Sequence, residues 1–109
     1  MATRTPFAWE KSYPPGVSWD APLDIITLPA LLDRAVAEFA GKTAFDYRGR
    51  AISYTELGAL TDQAARALAA MGVTTGTTVA IYLPNTPWHP VFFFGILRTG
   101  ARVVHMSPL

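Results

Sequence analysis

The 109-residue sequence contains no cysteine. Disulfides, thiolate metal sites and a cysteine nucleophile are thereby excluded, and a reducing compartment suits the chain. Charge is also scarce. Asp, Glu, Lys and Arg make up 16% of the residues, against about 25% in an average soluble domain. All eight carboxylates (Glu10, Asp20, Asp24, Asp33, Glu38, Asp46, Glu56 and Asp62) lie at or before position 62. Beyond Asp62 the only charged side chains are Arg66, Arg98 and Arg102, and none stands between Arg66 and Arg98. Such a stretch reads as interior, not surface. There is no run of Lys or Arg and the net charge is +1, so no nucleic-acid partner is expected. No apolar h-region follows Arg4, which argues against a signal peptide. The longest apolar run, Val91 to Leu97, falls far short of the roughly 20 residues of a spanning helix, and no transmembrane segment is expected.

Against these absences, hydrophobic residues reach 50% of the chain. Residues 1–26 are irregular: Pro6, Pro14, Pro15, Gly16 and Pro22 interrupt any period. Phe7, Trp9, Tyr13 and Trp19 lie among them, more aromatics than a disordered tail carries. The segment reads as an extended arm lying across a folded surface. A first helix is predicted from Leu28 to Ala40, with Thr27 as N-cap, Pro29 in the first turn and Gly41 as its stop. Leu28, Leu31, Leu32, Ala35, Val36 and Phe39 form its apolar stripe. Thr43 to Tyr47 and Ala51 to Tyr54 read as short strands of a hairpin around Arg48-Gly49-Arg50. Ser53 and Glu56 stand at capping-box spacing ahead of a second helix. Its stripe is Leu57, Leu60, Ala64, Leu68 and Met71, and Gly72 ends it.

Thr78 to Leu83 has few polar positions, as in a parallel strand covered on both faces. Pro84-Asn85-Thr86-Pro87 is a loop, with Asn85 as turn former. The third helix starts between Pro87 and Pro90, because proline is tolerated only in a first turn. It ends near Thr99, with Gly100 beyond it. Arg102 to Met106 then gives a parallel strand–helix–strand unit. In the third helix, Val91, Phe92, Phe93, Phe94, Ile96 and Leu97 leave no polar face, and a helix apolar all round is buried all round. Burying each Phe contributes roughly 1.5–3 kcal/mol, and exposing all three would leave an unusually large patch. Two coverings are open: further sequence packed on the 87–99 helix, or a second copy in a homodimer.

The side chains suited to chemistry read mostly as structure. His89 and His105 are sixteen apart with no Asp, Glu or Cys nearby, which is not a metal-ligand spacing. His105 keeps some functional interest because α/β sheets place ligands at the C-terminal ends of parallel strands. Ser107 and Thr86 have no base beside them, and no G-x-S-x-G elbow is present. Thr86 is expected to cap the third helix. The Gly- and Thr-rich stretch 72–78 leads from a helix into a strand. A phosphate loop runs the other way, into a helix N-terminus. Trp9, Tyr13 and Trp19 are expected to pack the arm on the body.

Several words now stand in a fixed order: Ile52-Ser53-Tyr54-Thr55-Glu56-Leu57, Gly72-Val73, Val79-Ala80-Ile81-Tyr82-Leu83-Pro84-Asn85-Thr86-Pro87, Phe94-Gly95-Ile96-Leu97-Arg98-Thr99-Gly100-Ala101, and Val103-Val104 with Ser107-Pro108-Leu109. This order resembles the N-terminal part of the adenylate-forming superfamily of acyl-CoA synthetases, luciferases and peptide-synthetase adenylation domains. Within it, Trp9, Tyr13-Pro14, Val17, the 94–98 word and the Ser-Pro-Leu ending are most similar to long-chain fatty acid–CoA ligases. The resemblance covers residues 9–109. One departure is Thr77, where the family usually has Asp.

The resemblance implies an α/β fold: the N-terminal piece of the large AMP-binding domain, with a β-hairpin, three helices and a parallel strand–helix–strand unit. It divides the chain into an arm, 1–26, and an incomplete subdomain, 27–109. It implies a two-step reaction in which a carboxylate attacks the ATP α-phosphate and the CoA thiol then displaces AMP. ATP, Mg²⁺, CoA and a fatty acid are thus implied for the parent enzyme. The family's phosphate loop, adenylate motif, ribose-binding Asp and mobile Lys do not occur in residues 1–109 and are expected after Leu109. No catalytic, cofactor-binding or metal-binding residue is therefore carried over, and the chain alone is expected to lack ligase activity. The expected location is cytoplasmic, including a peripheral position at a membrane. Two alternatives stay open: another adenylating enzyme of the medium-chain or aryl type, or a stand-alone α/β module that dimerises through the third helix.

Overall fold

Thr27 sets the start of the ordered body. In a computed structural model, which describes residues 4–109, its hydroxyl accepts from Ala30 N–H at 3.3 Å. The helix it opens, α1, runs Leu28–Phe39 and carries Pro29 in its first turn. Strands β1 (Thr43–Tyr47) and β2 (Arg50–Ser53) form an antiparallel hairpin, with Tyr47 opposite Arg50. The turn is therefore Arg48-Gly49 alone, with φ of 53° and 80°. Two residues at positive φ match the twist of a tight hairpin. Arg50 thus belongs to the strand, and Tyr54 starts the next helix instead of ending β2.

That helix, α2, is Tyr54–Ala70. Ser53 caps it, accepting from Glu56 N–H at 3.1 Å. The reciprocal half of the expected capping box is not made, because the Glu56 carboxylate binds Arg50 at 2.8 Å. A full positive charge is the stronger partner. Leu57 and Ala64 are buried with Leu60 packed beside them, and Leu68 packs against Ile81, Ile96 and Ala101. Met71, expected on the same stripe, lies at the C-cap and is 80% exposed. Thr61 sits on that stripe at 0% exposure, and its hydroxyl has no hydrogen-bond partner among the described residues.

Strand β3 (Thr78–Ile81), helix α3 (Trp88–Arg98) and strand β4 (Arg102–His105) complete the chain. Thr78 pairs with Arg102 and Ile81 with His105, in parallel register. The α/β class is thus observed, as two small sheets with three helices. Thr86 does not cap α3 through its side chain, and the N-cap is Pro87. An N-cap side chain accepts from the second or third helical N–H. Here the second, on His89, is held by the Thr86 carbonyl at 3.0 Å, and the third residue is Pro90, which has none.

The core has two parts joined by α3. Leu32, Ile52, Leu57, Ala64 and Val91 form one; Ile81, Ile96 and Ala101 form the other. At the crossing of α2 and α3, a Cβ built on Gly95 would lie 2.9 Å from Ala64 Cβ, so the helices meet where Gly95 has no side chain. Arg98, near the end of α3, pairs with Asp33 of α1 and, at 3.4 Å, with Asp62 of α2. Within this chain α3 is not buried all round. Val91, Gly95 and Ile96 are buried, whereas Trp88 is 50% exposed and Phe92 is also open. Among the described residues the parallel pair is covered on one face only: Val79, Ile81 and Val103 face α3, while Ala80, Tyr82, Val104 and Met106 face outward and are exposed.

The arm is expected to pack its aromatics on the body. Among its described residues it contains one 3₁₀ turn, Glu10–Ser12, and its aromatics pack on one another. Phe7 stacks on Trp9 at 4.4 Å and meets Trp19 edge-on at 5.6 Å. Arg4 lies 4.6 Å from the ring centroids of both Phe7 and Trp19. One link to the body is an ion pair from Asp24 to Arg34 at 3.1 Å, while Leu23 and Ile25 are fully or nearly fully exposed. Residues 1–3 of the arm lie outside the described residues.

Candidate functional site

In a strand–helix–strand unit the helix runs back against its strands, so its N-terminus returns to their C-terminal ends. That end is where open α/β sheets bind ligands. Here it holds a cleft of about 380 Å³, lined by Leu83, Asn85, His89, His105, Met106 and Ser107 among others. The 84–87 loop forms one wall, with Thr86 N–H donating to Pro84 C=O at 2.8 Å. Met106 N–H donates to Ile81 C=O at 2.9 Å and extends the ladder past β4.

The two histidines meet in this cleft. His105 Nδ1 and His89 Nε2 are 3.3 Å apart, with ring planes 14° from parallel. Phe93 lies against His105 with centroids 5.5 Å apart. Sequence spacing argued against a shared role for these residues. The topology brings them together because one starts α3 and the other ends β4. The signal was available only as a product of topology: a helix start and the end of the following parallel strand share one edge of the sheet.

The other candidates are engaged structurally. Ser107 Oγ donates to Leu109 C=O and accepts from Leu109 N–H, both at 3.2 Å. The 72–78 segment is a helix-to-strand connection. Gly72, at φ 91°, leaves α2 with its N–H donating to Ala69 C=O at 3.0 Å. Thr74 N–H is used by Thr77 Oγ1 at 3.1 Å, and Thr77 N–H by Thr74 C=O at 3.0 Å. These donors face inward at the negative end of a helix, so the segment does not fit a nucleotide phosphate. Among the described residues no group of three or more His, Asp and Glu is placed to hold a metal, so a carboxylate-held Mg²⁺ has no cradle there. A second cleft of about 360 Å³ lies between the hairpin and α3, lined by Tyr47, Arg50, Ile52, Leu60, Trp88 and Val91. Its one charged group, Arg50, is already paired with Glu56.

The nearest thing to a perturbed acid lies in the arm. Glu10 accepts from Phe7 N–H at 2.7 Å and from Arg4 at 2.6 Å. The backbone bond first, and then the guanidinium, hold its carboxyl below the usual carboxylate range. It stabilises the 3₁₀ turn and faces no cleft residue.

With this geometry in view, comparison with known proteins is direct. The model of the family described as AMP-binding enzyme matches residues 32–109. A long-chain-fatty-acid–CoA ligase of Bacillus subtilis is 33% identical over 103 residues, which covers 93% of this chain and 18% of that protein. A 3-[(3aS,4S,7aS)-7a-methyl-1,5-dioxo-octahydro-1H-inden-4-yl]propanoyl:CoA ligase of Mycobacterium tuberculosis is 41% identical over 85 residues, covering 77% of this chain and 17% of that one. The chain thus spans less than a fifth of the length of these curated relatives. Among solved structures, the N-terminal subdomain of Klebsiella oxytoca NpsA, in complex with 3-hydroxyanthranilyl-AMSN, superposes with a TM-score of 0.71 at 25% identity. That match covers 73% of this chain and 21% of the subdomain. A family match over most of the chain, a relative one-third identical along nearly all of it and the shared strand–helix–strand architecture agree, and the chain belongs to the AMP-binding, adenylate-forming enzyme family.

Proposed function

We propose that this chain is the N-terminal part of the AMP-binding domain of an ATP-dependent fatty acid–CoA ligase. The reaction is fatty acid + ATP + CoA to acyl-CoA + AMP + diphosphate, through an acyl-adenylate. The observation that supports this reading is the 33% identity with the Bacillus ligase along 93% of the chain. In it, residues 1–26 are the arm and 27–109 a scaffold subdomain. ATP, Mg²⁺ and CoA are held by residues outside 1–109, in keeping with a 72–78 segment unsuited to phosphate. The open face of α3 around Trp88 and Phe92 is covered by the rest of the protein, as is the outer face of β3 and β4. The protein works in the cytoplasm, with a peripheral membrane position open to it. A second reading, a ligase for a cyclic or aryl carboxylate, is favoured by the 41% identity with the mycobacterial enzyme.

The test is a chimera. Residues 1–109 replace the matched segment of the Bacillus ligase, and acyl-CoA formation is measured with a long-chain fatty acid and with an aryl acid. A folded chimera that acylates CoA with the fatty acid supports the proposal. A folded chimera that cannot form the adenylate overturns it. The 109-residue chain by itself is expected to give no ATP–pyrophosphate exchange, and exchange above the blank would refute the scaffold role.

A further inference from the structure

We infer that His89 and His105 form a binding site for a divalent transition-metal ion of the zinc type. The two ring nitrogens are 3.3 Å apart. An N–H donor normally approaches its acceptor to about 2.9–3.0 Å, so the pair is loose as a hydrogen bond. As a pair of ligands it is well spaced. The ring centroids are 5.2 Å apart, less than a collinear arrangement of two imidazoles at this N···N distance allows. At least one ring is therefore tilted off the line joining the nitrogens. Both side chains line one cleft. An ion about 2 Å from each nitrogen, the Zn²⁺–imidazole bond length, would see the two at about 110° at this 3.3 Å separation, close to the tetrahedral angle.

The surroundings suit such an ion. Imidazole is a preferred donor for zinc and its neighbours in the first transition row. Among the described residues no side-chain carboxylate and no cationic side chain lines the cleft, while Asn85, Met106 and Ser107 do. Two imidazoles leave two tetrahedral positions for water or for these side chains. Two protein nitrogens, against the four ligands of a structural zinc, make the ion exchangeable. Phe93 packs against His105 and limits its rotation, so little ordering is needed on binding. This inference rests on the geometry of the cleft and is independent of the ligase reading.

The experiment uses the tag-free chain. Zn²⁺ alone is titrated by calorimetry, and Co²⁺ serves as the optical probe of tetrahedral geometry. Wild type is expected to bind one ion saturably below about 1 mM, with Co²⁺ giving the intense visible bands of a tetrahedral complex. His105→Gln and His89→Gln should each weaken binding by about tenfold or more, and the double variant should abolish it. Circular dichroism checks that each variant keeps its helices. Both side chains are at least partly exposed, so the variants are expected to fold. Absence of saturable uptake by wild type overturns the proposal, and so does uptake unchanged in the folded double variant.

Discussion

Gly95→Ala should destabilise the chain, although the same change in an isolated helix would stabilise it. In a helix interior Ala is favoured over Gly by about 1 kcal/mol. Against that gain stands the crossing of α2 and α3. The added Cβ would lie 2.9 Å from Ala64 Cβ and 3.4 Å from Ala65 N, where methyl groups settle at about 3.5–4.0 Å. A Cβ is fixed to its backbone, so no rotamer relieves the contact and the helices must part. Overpacking of this kind costs about 1–3 kcal/mol. A contact under 3.0 Å between two fixed Cβ atoms places the cost in the upper part of that range, and the balance is a net loss of about 1–2 kcal/mol. Gly58→Ala is the control. Its new Cβ meets the Val36 Cγ2 methyl at 3.1 Å, the outer part of a half-buried side chain that can give by a few tenths of an ångström. The net effect there should fall within about 0.5 kcal/mol of zero, since the propensity gain offsets a small strain. Urea denaturation followed by far-UV circular dichroism measures both, and 1 kcal/mol corresponds to about 4–8 °C in Tm for a small domain. Ala64→Gly in the Gly95→Ala background should recover at least about 1 kcal/mol relative to the sum of the single changes. A Gly95→Ala chain as stable as wild type, or a double variant showing no coupling, would refute the close-crossing argument.

Two further outcomes follow from local contacts. Ser53→Ala removes the acceptor for Glu56 N–H and should cost about 1 kcal/mol; Thr27→Ala, with its longer and exposed bond, should cost less, and urea midpoints rank the two. Glu10 has a carboxyl held below its ordinary range by Phe7 N–H and then Arg4, so its contribution to the arm turn is complete above the ordinary carboxylate pKa and is lost as pH falls through the lowered value. Tryptophan fluorescence from the Phe7–Trp9–Trp19 cluster should change in that acid window, and Glu10→Gln should flatten the change; an identical titration in the variant would exclude the carboxyl as its source.

What could be read from the sequence depended on how local its cause was. Caps such as Thr27 and Ser53 act over three residues and were legible, as was the parallel pair flanking an apolar helix. The Glu56 carboxylate went elsewhere because Arg50 enters the strand directly after a two-residue turn. That turn needs Arg48 at positive φ, which few non-glycine residues adopt. The cap expected from Thr86 failed through the placing of Pro90, a detail of which N–H groups exist. The His89–His105 contact was illegible for another reason: it joins residues that only a completed crossover brings together. Burial all round α3 was inferred from composition, and the described residues supply cover for part of it.

The two sheets also differ in when they can exist. Tyr47 and Arg50 find each other across two residues, a closure that takes microseconds. Thr78 must wait for Arg102, and that pairing needs α3 laid down between them. Hairpin and α2 can therefore assemble early, whereas among the described residues β3 has no ladder partner until β4 has been synthesised. During that interval the Phe-rich face of α3 and both edges of β3 are open together, so the step most exposed to misassociation is the arrival of Arg102–His105. Substitutions in β4 should accordingly show first as lower soluble yield, ahead of any change in the stability of the chain once folded.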